Sequence, residues 1–340
     1  MDGDRLRATL LGFLAAGAVL ALLVYSLDVD DLTQNLFRAE LPLVGLVVAA
    51  ILLWLVAWGL ALRTVLSVLG EEIPAHTSFL VFNGAMFSNN VTPFGQAGGE
   101  PVTALLISQV ADTEYERSLA AIASVDTLNF FPSIAFALLG AAYYATQITF
   151  GRQLRIATGL ALVLAVAVPV GGYTAWRRRD SVGSFVVERL TPAIQRVARL
   201  LPRVSEPSRD SIAHRIDHFF GAVERVATDP KGLALALSAS TLGWFCQMVG
   251  LWLAFRAMNA PVEFTVIMFA VPLGAIAGAT PTPGGSGFVE SALIGVLTLL
   301  LAVPAATIGA AVIVFRAAVF GVPVLIGGLV VSWIGVDVFS

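Results

Sequence analysis

Thr92-Pro93-Phe94-Gly95-Gln96-Ala97-Gly98-Gly99-Glu100 and Thr282-Pro283-Gly284-Gly285-Ser286-Gly287-Phe288-Val289-Glu290 are two copies of one pattern, T-P-x-G-x-x-x-x-E. The offset between them is 190 residues throughout. Each copy interrupts an apolar run with a proline, glycines and an acid. Proline removes a backbone donor and disrupts a helix interior. Glycine permits turns and close approaches that other residues resist. Inside a bilayer, irregular backbone survives only where it is buried in protein or lines a polar cavity. An acid at that depth is a functional candidate by default. Two matched breaks point to a transporter built from repeats, with its site where the breaks meet.

The surrounding composition is that of a membrane protein. Of the 340 residues, 57% are apolar and 13% charged, against about 25% charged in soluble domains. Mean hydropathy is +0.85. Apolar runs fall at about 6–27, 42–69, 76–90, 101–110, 115–146, 153–176, 232–258, 262–279, 284–303 and 304–337. Several reach the roughly 20 residues that a bilayer-crossing helix needs. The first is too long for the apolar core of a signal peptide and lacks a clear cleavage site, so a retained helix is expected. The last contains Arg316 and Pro323 and reads as one long helix or two short ones.

Charge sets the expected orientation. Residues 177–231 hold 11 of the 20 basic residues against seven acids, beginning at Arg177-Arg178-Arg179. A short basic segment of this kind is expected on the cytoplasmic side. The loop 28–40 carries Asp28, Asp30, Asp31 and Glu40 against Arg38, and fits the outside. Counting crossings from a cytoplasmic N-terminus, position 115 and position 76 both begin inside. The broken segment 76–110 must then enter and leave on one face, as a re-entrant hairpin. The second broken segment, 262–303, starts outside and dips in from the opposite face. The expected fold is all-α: a polytopic membrane protein with two inverted repeats, each containing a re-entrant broken-helix hairpin. Its parts are a membrane half at 1–176, a basic cytoplasmic segment at 177–231, and a second membrane half at 232–340. Within the basic segment, Leu190, Ile194, Val197 and Leu201 form one apolar stripe. Ile212, Ile216, Phe219, Phe220, Val223 and Val226 form another. This spacing predicts two amphipathic helices on the cytoplasmic surface, joined by a turn at Pro202–Pro207. Their basic residues either attract anionic lipid or simply anchor the topology.

The breaks also suggest chemistry. Freed backbone N–H groups at the start of each second half-helix form an anion site, reinforced by the helix dipole. Gly95, Gly98 and Gly99 supply one such cradle, and Gly284, Gly285 and Gly287 the other. Thr92, Gln96, Thr282 and Ser286 are neutral donors beside them. Glu100 and Glu290 have two readings. They cap the orphan N–H groups, which the dipole favours, or they are protonatable or cation-binding groups that couple transport. The offset of 190 residues also relates Asp126 to Arg316, each in the helix after its break. A lone charge at bilayer depth costs roughly 3 kcal/mol, so such residues find partners. The expectation is a pair between Asp126 and Arg316 across the pseudo-twofold axis, or an Arg316 that contacts an anionic headgroup while Asp126 tunes it. Asn89 and Asn90, just before the first motif, cap or line the break.

Other chemistry has little support. The sequence has no Walker A motif, no dinucleotide glycine motif after a strand, no HExxH, and only three histidines. An enzyme is disfavoured, no cofactor or metal is implied, and a net charge of −3 gives no reason to expect nucleic acid. Cys246, the one cysteine, lies in an apolar run and reads as a buried structural thiol.

From Thr280 to Glu290 the sequence resembles the lysylphosphatidylglycerol synthase transmembrane, or flippase-like, family. The stretch Asn90–Glu100 looks like the N-terminal counterpart, and Arg316 in a late helix fits the same pattern. The resemblance covers about 10–335. It implies an integral protein of the cell membrane that moves lipids or lipid-linked headgroups between leaflets, and the anion cradles above select anionic headgroups. The aminoacyltransferase domain of the family's bifunctional members is not in this chain, so the synthase activity does not carry over. Asp126 is a departure, since the resemblance implies a basic residue there. The resulting expectation is a lipid translocase, proton- or cation-coupled. A secondary transporter of a small anion is the alternative, as is a non-transporting partner of a separate lipid-modifying enzyme or glycosyltransferase.

Overall fold

Backbone in hydrocarbon must satisfy its own N–H and C=O groups, and every regular element among the described residues is helical. In the computed structural model these residues are 14–25, 27–92, 96–147, 170, 174, 177, 209–280 and 282–339. The helices are α1 (Leu14–Tyr25), α2 (Val29–Phe37), α3 (Leu41–Val68), α4 (Ala75–Val91), α5 (Gln96–Val110), α6 (Tyr115–Gln147), α7 (Arg209–Thr228), α8 (Pro230–Ala257), α9 (Phe264–Ile276), α10 (Phe288–Leu300) and α11 (Ala305–Phe339). Tight 3-10 turns at Ala277–Ala279 and Pro283–Gly285 join α9 to α10. Five helical segments are long and apolar enough to cross a bilayer: α3, Tyr115–Tyr143 of α6, α8, Pro283–Leu300, and Ala305–Trp333 of α11. The run read at 153–176, the stripe from Leu190 to Leu201 and its turn, and Pro93–Gly95 lie outside the described residues.

The core is laid down by α3 against α8, the most extensive helix contact. Trp58 of α3 lies over Gly243 of α8, in the space that any side chain there would fill. Its indole N–H donates to Ser240 O at 3.2 Å, and its ring meets Trp244 edge-on at 5.9 Å. These tryptophans are packing residues. Cys246 is a free, buried thiol in the same helix. The start of α8 follows from Asp229, whose Oδ1 accepts from Lys231 and Gly232 N–H, with Pro230 in the first helical position.

Both breaks fold the chain back on itself. Gly99 abuts Asn89, and Gly84 abuts Leu106, so contacts advance in opposite directions along α4 and α5. Gly274 meets Leu293 and Gly278 meets Val289, the same antiparallel progression in α9 and α10. The tips of the two folded-back pairs meet. A Cβ at Gly284 would lie 2.6 Å from Asn90 Oδ1. The long last run is one helix, α11, and passes through Pro323 without ending.

Two elements differ from the sequence expectation. The acidic loop 28–40 contains the helix α2, started by Asp28 at φ 62°, whose Oδ1 accepts from Asp30 N–H. The second apolar stripe forms α7, but part of it is satisfied by protein. Ala222 and Val226 are buried, α7 packs on α6, and His218 contacts Glu114 at 3.2 Å.

At the end of α3, Glu71 joins the two sides of the first break. Thr113 Oγ1 and Arg117 Nη1 both donate to Glu71 Oε1, at 2.7 and 2.8 Å. Burial pushes this carboxyl up, but the hydrogen bonds from Thr113 and Arg117 and the Arg117 charge outweigh it, so its pKa is lowered. A lowered carboxyl stabilises the fold above its unfolded pKa and loses that contribution as pH falls through the folded pKa. Between roughly pH 5 and 3, the thermal midpoint of detergent-solubilised protein should therefore fall further for wild type than for Glu71→Gln. Equal falls would refute this assignment. A Cβ at Gly274 would stand 2.5 Å from Leu293 Cδ2. Gly274→Val should cost about 1–3 kcal/mol by overpacking, whereas Gly295→Val, with nothing within 4 Å of its Cβ position, should not. Thermal midpoints of the two variants make the comparison.

Candidate functional site

The second motif builds its site from glycine torsions. Gly284, Gly285 and Gly287 have φ of 57°, 66° and 87°, a region that a side chain strains. These values curl the chain into a tight turn before α10. As a result, its N–H groups are used internally. Gly285 N–H donates to Thr282 O, and Ser286 N–H to Pro283 O, both at 3.0 Å. Gly287 N–H donates to Glu290 Oε2 at 2.7 Å, closing the side-chain half of a capping box. The expected cradle at Gly284–Gly287 is corrected for three of its N–H groups: turn carbonyls and Glu290 occupy those of Gly285, Ser286 and Gly287.

The cation of the site is Arg316. Its Nε donates to Glu290 Oε1 at 2.7 Å, and its Nη2 to Gly284 O at 3.1 Å. Side-chain exposures of 11% for Arg316 and 8% for Glu290 make this a buried pair. One guanidinium thus clamps the turn, the capping acid and α11 together. Arg316 has five N–H donors, and its Nη1 has no acceptor among the described residues. The expected pairing of Asp126 with Arg316 is corrected by the same geometry. Glu290 reaches the guanidinium first, because the turn at Gly284–Gly287 aims the opening of α10 at α11. Glu290 is accordingly both a helix cap and an ion-pair partner.

In the first half, Glu100 opens α5 and Asp126 lies in α6, with its Oδ2 buried. Gly99 is buried against Asn89, where any side chain would collide. Gln96 and Gly98 form the opening of α5; the Gln96 side chain and Gly95 lie outside the described residues. Thr92 Oγ1 turns back to donate to Ser88 O at 2.7 Å. Thr282 is buried, with its hydroxyl 3.3 Å from that of Thr280. Among the described residues, no three His, Cys, Asp or Glu gather as a metal site.

Sequence reasoning missed the apolar wall. A Cβ at Gly284 would stand 2.9 Å from Phe320 Cε2, and one at Gly287 would stand 2.8 Å from Val19 Cβ of α1. Phe320 was findable, four residues after Arg316 and so on the same helix face. Val19 had no local signal, since an apolar residue in an apolar helix has no address.

A profile of the family described as "Lysylphosphatidylglycerol synthase TM region" matches residues 9–327. Similar proteins include a UPF0104 membrane protein of Methanothermobacter thermautotrophicus, 22% identical across 98% of this chain and 95% of its own length. A second from that organism is 25% identical over 71% of this chain and 70% of its own. A third, from Pyrococcus horikoshii, is 22% identical over 91% and 92%.

Removing one partner from a buried ion pair costs about 3–5 kcal/mol, because a charge is left stranded. Arg316→Met should therefore lower the thermal midpoint sharply, and Arg316→Met combined with Glu290→Gln should recover part of the loss. A double variant no more stable than the single one would show that the pair is not what holds this turn.

Proposed function

The chain belongs to the lysylphosphatidylglycerol synthase transmembrane-region family and is a multi-pass integral membrane protein, and from that premise we propose that it is a lipid translocase, moving an anionic or lipid-linked headgroup between leaflets. The observation that carries this reading is a nearly buried guanidinium with donors left over beside an apolar wall. Arg316 keeps its Nη1 after binding Glu290 and Gly284 O. A planar fork of donors suits phosphate. Phe320 and Val19 pack on Gly284 and Gly287 of the turn that it clamps, and Phe288, 40% exposed, follows that turn. A polar head at Arg316 with acyl chains along these residues satisfies both parts of an amphiphile. A small soluble anion needs the guanidinium but gains nothing from the wall, so the lipid is the favoured substrate.

The remaining parts of the proposal follow from charge and crossing parity. The N-terminus and residues 177–231 face the cytoplasm, and the protein sits in the cell membrane. The two folded-back segments are re-entrant hairpins entering from opposite faces, related as inverted repeats. Movement is downhill or coupled to a proton or cation, without enzymatic chemistry. A separate lipid-modifying enzyme is the natural partner, supplying or consuming the moved lipid.

Headgroup-resolved lipid movement in proteoliposomes, with and without an ion gradient, tests the proposal. Anionic lipid should move and Arg316→Lys, which keeps charge but loses the fork, should slow it roughly tenfold, the equivalent of a charged hydrogen bond worth about 1.5 kcal/mol. No movement of any anionic lipid sinks the translocase. Uptake of soluble phosphate without lipid movement would replace it with the small-anion transporter.

A further inference from the structure

Three unlike side chains meet at Gly284. Arg316 Nη2 donates to its carbonyl at 3.1 Å. A Cβ built on Gly284 would stand 2.9 Å from Phe320 Cε2 and 2.6 Å from Asn90 Oδ1. Arg316 and Phe320 belong to α11, but Asn90 lies in the last turn of α4, in the other half of the chain. The first tip thus sets one amide against the turn that the Arg316 clamp holds.

That amide is unspent. Short polar side chains in a helix commonly bond back to the carbonyl of the preceding turn. Along α4 and its cap, Asn83 donates to Phe79 O, Ser88 to Gly84 O and Thr92 to Ser88 O, at 2.8, 3.0 and 2.7 Å. Asn90 does not follow them. It is 7% exposed, and its amide makes no hydrogen bond among the described residues. The residue 190 positions later, Thr280, spends its hydroxyl on Ala277 O at 2.9 Å. An unpaired buried polar group costs about 1–3 kcal/mol, so the fold holds Asn90 at Gly284 at some expense. With Oδ1 against Gly284, its Nδ2 keeps two donors; with the amide turned over, the other end is still unmet.

Charge explains what a neutral amide adds there. Arg316 Nε is taken by Glu290 Oε1, so cation and acid together carry no net charge. An anion arriving at the remaining Nη1 finds no surplus positive charge and depends on directed N–H groups. A second cation in this place would pair with Glu290 instead. An amide donates without doing so, and two sets of donors on one residue suit an acceptor-only group such as phosphate.

We infer that Asn90 is a second ligand contact, and that Arg316 Nη1 and Asn90 Nδ2 bind one phosphate-like anion in a site shared by the two tips. That this anion is a lipid headgroup rests on the translocase reading; the pairing of Asn90 with Arg316 does not. The site is complete only when both tips are in place, so the bound anion ties the end of α4 to α11 and to the Gly284 turn.

Thermal unfolding of the full chain in detergent, titrated with phosphatidic acid or with inorganic phosphate, tests this. Phosphatidic acid should raise the wild-type midpoint. Asn90→Leu should need roughly tenfold more lipid for the same rise, the loss of one hydrogen bond to a charged group. Its lipid-free midpoint should be no lower than wild type, because no protein partner of the amide is lost. Thr280→Val should do the opposite, lowering the lipid-free midpoint and leaving the lipid response unchanged. An Asn90→Leu response equal to wild type overturns the contact, whatever its lipid-free midpoint. So does a wild type that responds to neither anion. If Asn90→Leu fails to fold, Asn90→Asp, of the same shape but negatively charged, should abolish the response, and a retained response overturns the contact. A response to inorganic phosphate alone keeps the shared anion site and sinks the lipid as its ligand. An Asn90-dependent response to phosphatidic acid, in a protein that moves no lipid in proteoliposomes, sinks the translocase reading and leaves the site standing.

Discussion

One guanidinium organises the second break. Arg316 ties together a carboxylate, a turn carbonyl and two helices that are otherwise separated by apolar side chains. In a low-dielectric interior a stranded charge is far costlier than in water, so neither Arg316 nor Glu290 can move independently. The glycine torsions before α10 follow from this clamp. Only a chain with three residues at positive φ can place Gly284 O on the guanidinium while turning Glu290 back onto Gly287 N–H. The turn, the cap and the ion pair are thus one construction.

Irregular backbone inside a membrane protein has to be paired or shielded, and the second break shows how. The second closes on itself through turn hydrogen bonds and the Arg316 clamp. Beside the first, Gly99 presses on Asn89, and Asn90 reaches Gly284 of the second. Because the tips touch, a change in one has a mechanical route to the other. In the proposed translocase, the guanidinium of the second half receives the headgroup.

Much of the fold was legible in the sequence. The runs at 42–69, 115–146 and 232–258 emerge as α3, α6 and α8 to within a few residues, because length and hydropathy are local properties. The breaks fall where Thr92-Pro93 and Thr282-Pro283 stand, for the equally local reason that proline and glycine disfavour helix interiors. The amphipathic stripe through Ile216 and Phe220 marked α7 correctly, although its apolar face packs in part on α6 rather than on lipid. Helix α2 escaped because Asp28, its cap, sits among acids that read as a solvated loop. At Arg316, one long helix prevailed over two, since a single proline in a well-packed apolar helix can be accommodated by its neighbours.

The candidate site was legible as a set of residues but not as a set of bonds. Glu100, Asp126, Glu290 and Arg316 announce themselves by being charged in apolar sequence, but the offset of 190 residues paired Arg316 with Asp126, whereas it meets Glu290. The sequence by itself determined the membrane-spanning helices, the positions of the breaks and the identity of the buried charges. Tertiary structure alone decided that Arg316 meets Glu290 rather than Asp126, and that the N–H groups of Gly285, Ser286 and Gly287 are already taken. Composition and periodicity act within one element. Partner choice depends on distances between elements and on a few backbone torsions, which no single stretch of chain encodes.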